Sequence, residues 1–342
     1  MIDVNLKKDY NQGWIANAEA SGGTDNRFLS RLFGMRFTDR TELFVYGSAN
    51  NLNDKTQPWG DGTWYKNVVQ NGQMSIQKAG ANFAYNGRNN KNRISTSVNI
   101  THSTNNIDNR SVKTNYYETN DTYGRSHFLN HATICSTEWL ADGKYAGKNA
   151  FLTWYHSLTL GNTHTHSDNQ NITLYQQITE TYPTAVLDSI FTLKGYVQPF
   201  QLPLINYYRD LSKEQTKNWH LYEMLNLSLS KWTFNLQGDY NKTEQHLFSQ
   251  YLLHSPQTST TDDFRNRYTT KPQNNYSLYA SITQNLFRKE KGNWSNDMNT
   301  SYTISYARNE NSSVLYRLDK WNNGWNTPDG KQLGLFPSTY DS

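Results

Sequence analysis

Between Trp232 and Asn241 the chain alternates. Trp232, Phe234, Leu236, Gly238 and Tyr240 are apolar or small, while Thr233, Asn235, Gln237, Asp239 and Asn241 are polar. A period of two puts one set on each face of a β-strand. The pattern recurs and predicts about eleven strands. They run near Trp14–Ala20, Arg27–Phe37, Leu43–Ala49, Ser75–Tyr85, Ile94–Ile100, Phe128–Leu140, Leu152–Leu160, Leu221–Leu229, Trp232–Asn241, Tyr276–Leu286 and Met298–Tyr306. Two runs are interrupted on their apolar face: His156 breaks Leu152, Trp154, Leu158 and Leu160, and Glu223 breaks Leu221, Leu225, Leu227 and Leu229. The inner faces are too polar to fill a dry core. The expectation is therefore an all-β, antiparallel up-and-down transmembrane β-barrel. Its apolar face meets lipid and its polar face a wet lumen.

The connections sharpen this. Short turns are expected at Thr38–Thr41, Asn86–Asn92, Ala141–Asn149, Ser230–Lys231 and Arg288–Asn293. Between them lie long polar stretches near 50–73, 105–125, 162–216, 250–274 and from 308 onward. Only Gly22–Asn26 is short where the alternation calls for a long loop. Outer-membrane barrels have short turns at one end and long loops at the other. Phe234, Leu236, Leu225, Leu227, Leu229, Leu278, Ile282 and Ile304 are then the lipid-facing set. An odd strand count implies an incomplete wall, since single-chain bacterial barrels have even counts.

Composition changes the picture in one respect. Only 35% of the 342 residues are hydrophobic, a level that elsewhere goes with disorder, yet 14% are aromatic: 24 Tyr, 14 Phe and 10 Trp. Disordered chains are poor in aromatics; strands are rich in them. Strand aromatics such as Trp14, Tyr46, Tyr85, Trp154, Trp232 and Tyr276 read best as an interfacial girdle. The net charge of +4 is scattered, which argues against nucleic acid as a partner. The single cysteine, Cys135, forms no intrachain disulfide and is expected to be a buried, inert thiol. No apolar run reaches the ~18–20 residues of a membrane helix, and no apolar signal segment follows Met1.

Chemistry-bearing clusters are few. His164, His166 and Asp168 share one strand face, but neighbours two apart lie roughly 6–7 Å from each other, so the reading is a wet polar loop and no metal site. Trp59, Trp64 and Tyr65 sit in the first long loop and could stack on a flat or sugar-like ligand. Arg31 and Arg36 point to opposite faces of the second strand. No nucleophile elbow, phosphate loop or spaced carboxylate pair is present, so neither an enzyme nor a cofactor is expected.

The segment Val4–Asp54 resembles the start of the barrel in TonB-dependent receptor-like outer-membrane proteins. The matching pieces are the LKK opening, the GW–NAEA strand, the MRFTD hairpin and the ANNLND strand end. LYRLDKWNNGW (Leu315–Trp325) and LGLFPSTYDS (Leu333–Ser342) also look familial. The resemblance implies a barrel segment that follows a plug domain and belongs to a barrel of about 22 strands, with no plug in this sequence. It further implies uptake of a bulky nutrient across the cell outer membrane. The partners would be outer-membrane lipid, the plug and remaining barrel strands, and an energy-coupling periplasmic protein. A secreted or surface β-rich glycan-binding or adhesin module remains an alternative, as does a passive porin-like barrel.

Overall fold

The computed structural model describes residues 12–58, 62–64, 72–88, 91–182, 184–192, 195–196, 202–255, 262–291 and 294–321. The alternating runs fold as strands in which each hydrogen-bonds the next. They are β1 (Gly13–Gly22), β2 (Phe28–Phe37), β3 (Thr41–Asn50), β4 (Gln73–Asn86), β5 (Asn92–Asn115), β6 (Thr122–Ala146) and β7 (Ala150–Leu174). A six-residue helix α1 (Ala185–Ile190) and a small pair, β8 (Phe191–Thr192) and β9 (Gly195–Tyr196), follow. The sheet resumes with β10 (Leu204–Leu229), β11 (Trp232–His254), β12 (Asp263–Lys291) and β13 (Trp294–Asn311). β14 (Val314–Arg317) pairs with β12 just beyond the point where β13 leaves it, so β13 and β14 form one line along that neighbour. The result is a single antiparallel up-and-down sheet of twelve strands, eleven of them on one path in sequence order.

Short connections, such as 38–40, 87–91, 147–149 and 230–231, lie at what we call the lower end. The upper end carries 23–27, 51–72, 116–121, 175–203 and 255–262. Among the described residues β1 and β13 have one neighbour each on that path, so the sheet is open at both edges. Both edge strands run upward. They would meet in parallel, and an antiparallel closure requires an odd number of further strands between them.

The upper half differs from the sequence reading. The stretches near 105–125, 162–216 and 250–274 were expected to be loops, but most of each is strand. β5, β6, β7 and β10 run 24, 25, 25 and 26 residues, against the 9–11 a tilted strand needs to cross a bilayer. Beyond that length they continue for roughly 50 Å along the strand at 3.4 Å per residue. Both faces of these upper hairpins are rich in polar residues, so no long apolar alternation marks them. The turn expected at Ala141–Asn149 shrinks to three residues, because β6 extends to Ala146. Arg288–Lys291 likewise belongs to β12. Residues 322–342, including the familial-looking Leu333–Ser342, lie outside the described residues, as do Trp59 and Tyr65.

One glycine is required by close approach. Gly80 faces Tyr46 on one side and Asn99 on the other, and the Tyr46 hydroxyl spans it to donate to Asn99 Oδ1 at 2.9 Å. A Cβ at Gly80 would stand 2.6 Å from that oxygen and closer still to the Tyr46 ring. At Gly238 an added Cβ meets nothing within 4 Å. Gly80→Val is therefore expected to destabilise the fold by about 1–3 kcal/mol, and Gly238→Ala to be neutral or slightly stabilising. Denaturant titration of the two variants beside the parent checks both.

Candidate functional site: the apolar band and the polar groups above it

The register aligns the apolar positions of neighbouring strands into one band around the lower half of the sheet. Leu225 lies opposite Leu236, Leu236 opposite Ala280, and Ala280 opposite Ile304. On the other side Leu227 lies opposite Leu152, and Leu158 opposite Trp139. The row continues through Val98, Ala81, Val45 and Gly34 to Ala16 on the first strand. The band spans eleven residues on β10 (Trp219–Leu229) and nine on β11 (Trp232–Tyr240).

The eight residues read as lipid-facing all lie on this face. Leu225, Leu229, Phe234, Leu236, Leu278 and Ile304 are exposed, Ile304 by 58%, while Leu227 and Ile282 are half-buried. Six of them, Leu225, Leu227, Phe234, Leu236, Ile282 and Ile304, line a shallow apolar groove in the band together with Ala280 and Tyr302. Exposure of so many large apolar side chains on one face marks an interaction surface. The opposite face of the same strands is Ser97, Asn99, Ser157, Thr159, Asn226, Ser228, Asn235, Gln237, Ser281 and Thr283.

Aromatic side chains edge the band. Trp14, Tyr85, Tyr145 and Trp232 lie toward the lower rim, and Trp219, Tyr240, Tyr276 and Tyr306 toward the upper. Arg36 stands over the Trp14 ring at 5.1 Å, its charge at the lower edge. Tyr46 does not belong to this set. Its parity puts it on the polar face, where it is 8% exposed and packs edge-on against Trp64. Trp64 is held there by Tyr46 and by Arg31, whose guanidinium stands 5.0 Å from its ring. Arg31 in turn pairs with Glu19 at 2.9 Å and with Asp54. Trp64 thus packs within the sheet's polar face rather than standing free in an outer loop.

The two interruptions of the band meet. His156 and Glu223 are directly opposite in register, near mid-height. His156 Nδ1 hydrogen-bonds Glu223 Oε1, and Trp154 Nε1 donates to Glu223 Oε2 at 3.2 Å. Trp139 and Trp154 flank the imidazole, with ring centroids 4.4 and 6.2 Å away. The imidazole is thereby buried on the apolar band, while the Glu223 side chain stays 43% exposed. In the sequence each break stands alone; the matching signal is that they fall on neighbouring strands.

Above the band the same face turns polar and is partly covered. Residues on 175–203 fold onto it. Val186, Leu187, Ile190 and Phe191 bury against Ile172, Leu174, Leu204, Tyr207 and Leu252. Ion pairs pin this strap: Arg125 Nε to Glu180 at 2.6 Å, both side chains buried, and Arg110 to Asp188 at 3.2 Å. The Tyr182 hydroxyl also donates to Asp188, and with Arg110 it holds that carboxyl below the usual range. Beside the strap lies a cavity of about 780 Å³. It is lined by Leu129, Leu211 and the Asp168–Arg209 ion pair, and by Asn106, Asp108, His131 and His166. The expected wet loop at His164–Asp168 is thus a paired strand. Cys135, expected to be buried, is exposed on this face just above the band, because its strand position points away from the polar face.

Among the described residues no group of three or more His, Cys, Asp or Glu side chains could hold a metal ion, and no helix is long and apolar enough to cross a membrane. Compared with known proteins, the chain finds no counterpart: no family model, no curated protein and no solved structure matches it.

His156→Leu should cost about 1–3 kcal/mol by stripping Glu223 of its partner, whereas His156→Leu with Glu223→Leu should recover that loss or exceed the parent. Unfolding midpoints of the three proteins decide it. Asp188, depressed in the folded state, contributes stability that is present above the ordinary carboxylate value near 3.9 and is lost as pH falls through its lower folded value. Exchange protection over 185–190 should therefore fall below about pH 4, and the acid-dependent part should vanish in Asp188→Asn.

Proposed function

We propose that this chain forms part of the wall of an outer-membrane β-barrel, of the TonB-dependent receptor-like kind, that admits a bulky nutrient. The observation that carries the reading is the apolar band. Its nine to eleven residues on β10 and β11 match what a tilted strand needs to span hydrocarbon. Aromatics lie at both edges, where ring and polar tip suit the headgroup level. Behind the band, a wall of Ser, Thr, Asn and Gln suits a wet lumen. The connections are short at one end and long at the other, as in outer-membrane barrels. The sequence resemblance over Val4–Asp54 adds the receptor class.

In this reading the partners are membrane lipid, a plug domain, an energy-coupling periplasmic protein and strands from outside the described residues. The open edges support the last, because backbone groups at a bare edge have no partner in lipid. The cargo would meet the upper hairpins first. The glycan-binding or adhesin alternative needs two apolar faces turned onto each other. The described sheet presents one such face along its whole width, which favours a lipid partner.

Leu236 and Gln237 are neighbours on opposite faces, so a pair of substitutions separates the readings. Leu236→Arg should destabilise the protein folded in vesicles by about 2–4 kcal/mol near the bilayer midplane, while Gln237→Arg changes its stability little. Equal effects of the two changes, or recovery of the protein as a soluble monomer without detergent, would sink the proposal.

A further inference from the structure

His131 and His166 are directly opposite each other on β6 and β7, on the same face, and both line the cavity. Side chains of such cross-strand pairs start about 4.5–5.5 Å apart at Cβ. That is closer than any two of His164, His166 and Asp168 along one strand, where neighbours lie roughly 6–7 Å apart. The row extends on both sides, to Asn106 on β5 and Lys213 on β10. Asn106 Oδ1 bonds His131 Nδ1. An amide oxygen only accepts, so Nδ1 carries the hydrogen and the Nε2 lone pair is turned outward. Its one contact is a long one, to the Thr133 hydroxyl at 3.3 Å.

We propose that these two imidazoles form a site for a divalent transition-metal ion, with water or a ligand's own donors completing its shell. Imidazole nitrogens suit Zn²⁺, Cu²⁺ and Ni²⁺ and bind zinc at about 2.0–2.1 Å. The bond from Asn106 orients one ligand as carboxylates and carbonyls orient metal-bound histidines elsewhere.

Among the described residues no third protein ligand is on offer. Asp168 accepts two bonds from Arg209, at 3.1 and 2.8 Å, and one from Gln170. Asp108 is bonded by His127 at 2.9 Å. Both carboxylates still lie on the cavity wall, where Asp168 offsets the charge of Arg209. The cavity has room for a hydrated ion and for a chelating molecule upon it.

The test is a zinc titration of the full chain by calorimetry, in the medium that keeps it folded, with X-ray absorption at the zinc edge. The expected result is one ion per chain, bound through two imidazole nitrogens and oxygen, without sulfur from Cys135. His131→Gln and His166→Gln should each weaken binding roughly tenfold or more. His164→Gln, which faces Thr133 rather than a histidine, should leave it unchanged. Circular dichroism melts in the absence of zinc show that the variants fold. Failure of the parent to bind zinc, a sulfur ligand, or binding undisturbed in both His131→Gln and His166→Gln overturns the proposal. The outcome is independent of the membrane reading, because the site lies in the upper hairpins and the titration does not require a bilayer.

Discussion

The structure depends on one constraint: the pleat's period of two, held in register from strand to strand. A slip of one residue would carry a whole strand's apolar set to the polar face. Among the described residues of the main ladder, register shifts occur at Leu204/Asn206 and Asn285/Phe287. The first is at the top of β10, beneath the strap, and the second near the lower rim. Between them the register is unbroken, so the band's rows of Leu, Ile, Val and Ala line up across neighbouring strands. Tight turns such as Thr38–Thr41, where the Thr38 amide donates to the Thr41 carbonyl at 2.7 Å, fix the offset from which each hairpin starts.

That constraint also explains what could be read from the residues alone. Within the band, one face is apolar, and the strand at Trp232–Asn241 is legible at sight. In Asn105–Asn115 or His164–Gln170 both faces are polar, and nothing in the residue types marks a strand. Those segments are strands because a neighbour already paired lower down offers its next backbone groups, and the ladder continues upward. Tyr46 reads as a girdle residue for a related reason: an aromatic ring suits either face, and only parity within Thr41–Asn50 decides. The His156–Glu223 pair and the His131–His166 pair share another kind of invisibility. Each joins residues on different strands, and register is a property of two segments at once.

The polar upper hairpins gain little from apolar burial, and an isolated hairpin is marginal in water. The strap answers this locally. Its apolar residues close over Ile172, Leu174 and Leu252, and the buried Arg125–Glu180 pair, with Glu180 also accepting from the Val186 amide at 3.2 Å, fixes where it lands. Such a buried pair contributes more to the choice of geometry than to net stability. Near β2 to β4 the loop from Asn51 plays the matching part on the other face, over Phe33, Tyr46 and Ile76.

The order of the strands in the sheet is their order in the chain. Pairing is therefore mostly between segments adjacent in sequence, where closing the intervening loop costs the least entropy. Each hairpin can add to the edge left by the one before, so the sequence of synthesis can also be the sequence of assembly. The longest detour on this path is 175–203, between β7 and β10. It is also the stretch that folds back to clamp the strands it separates, which makes it the natural pause between a first block of seven strands and a second of four.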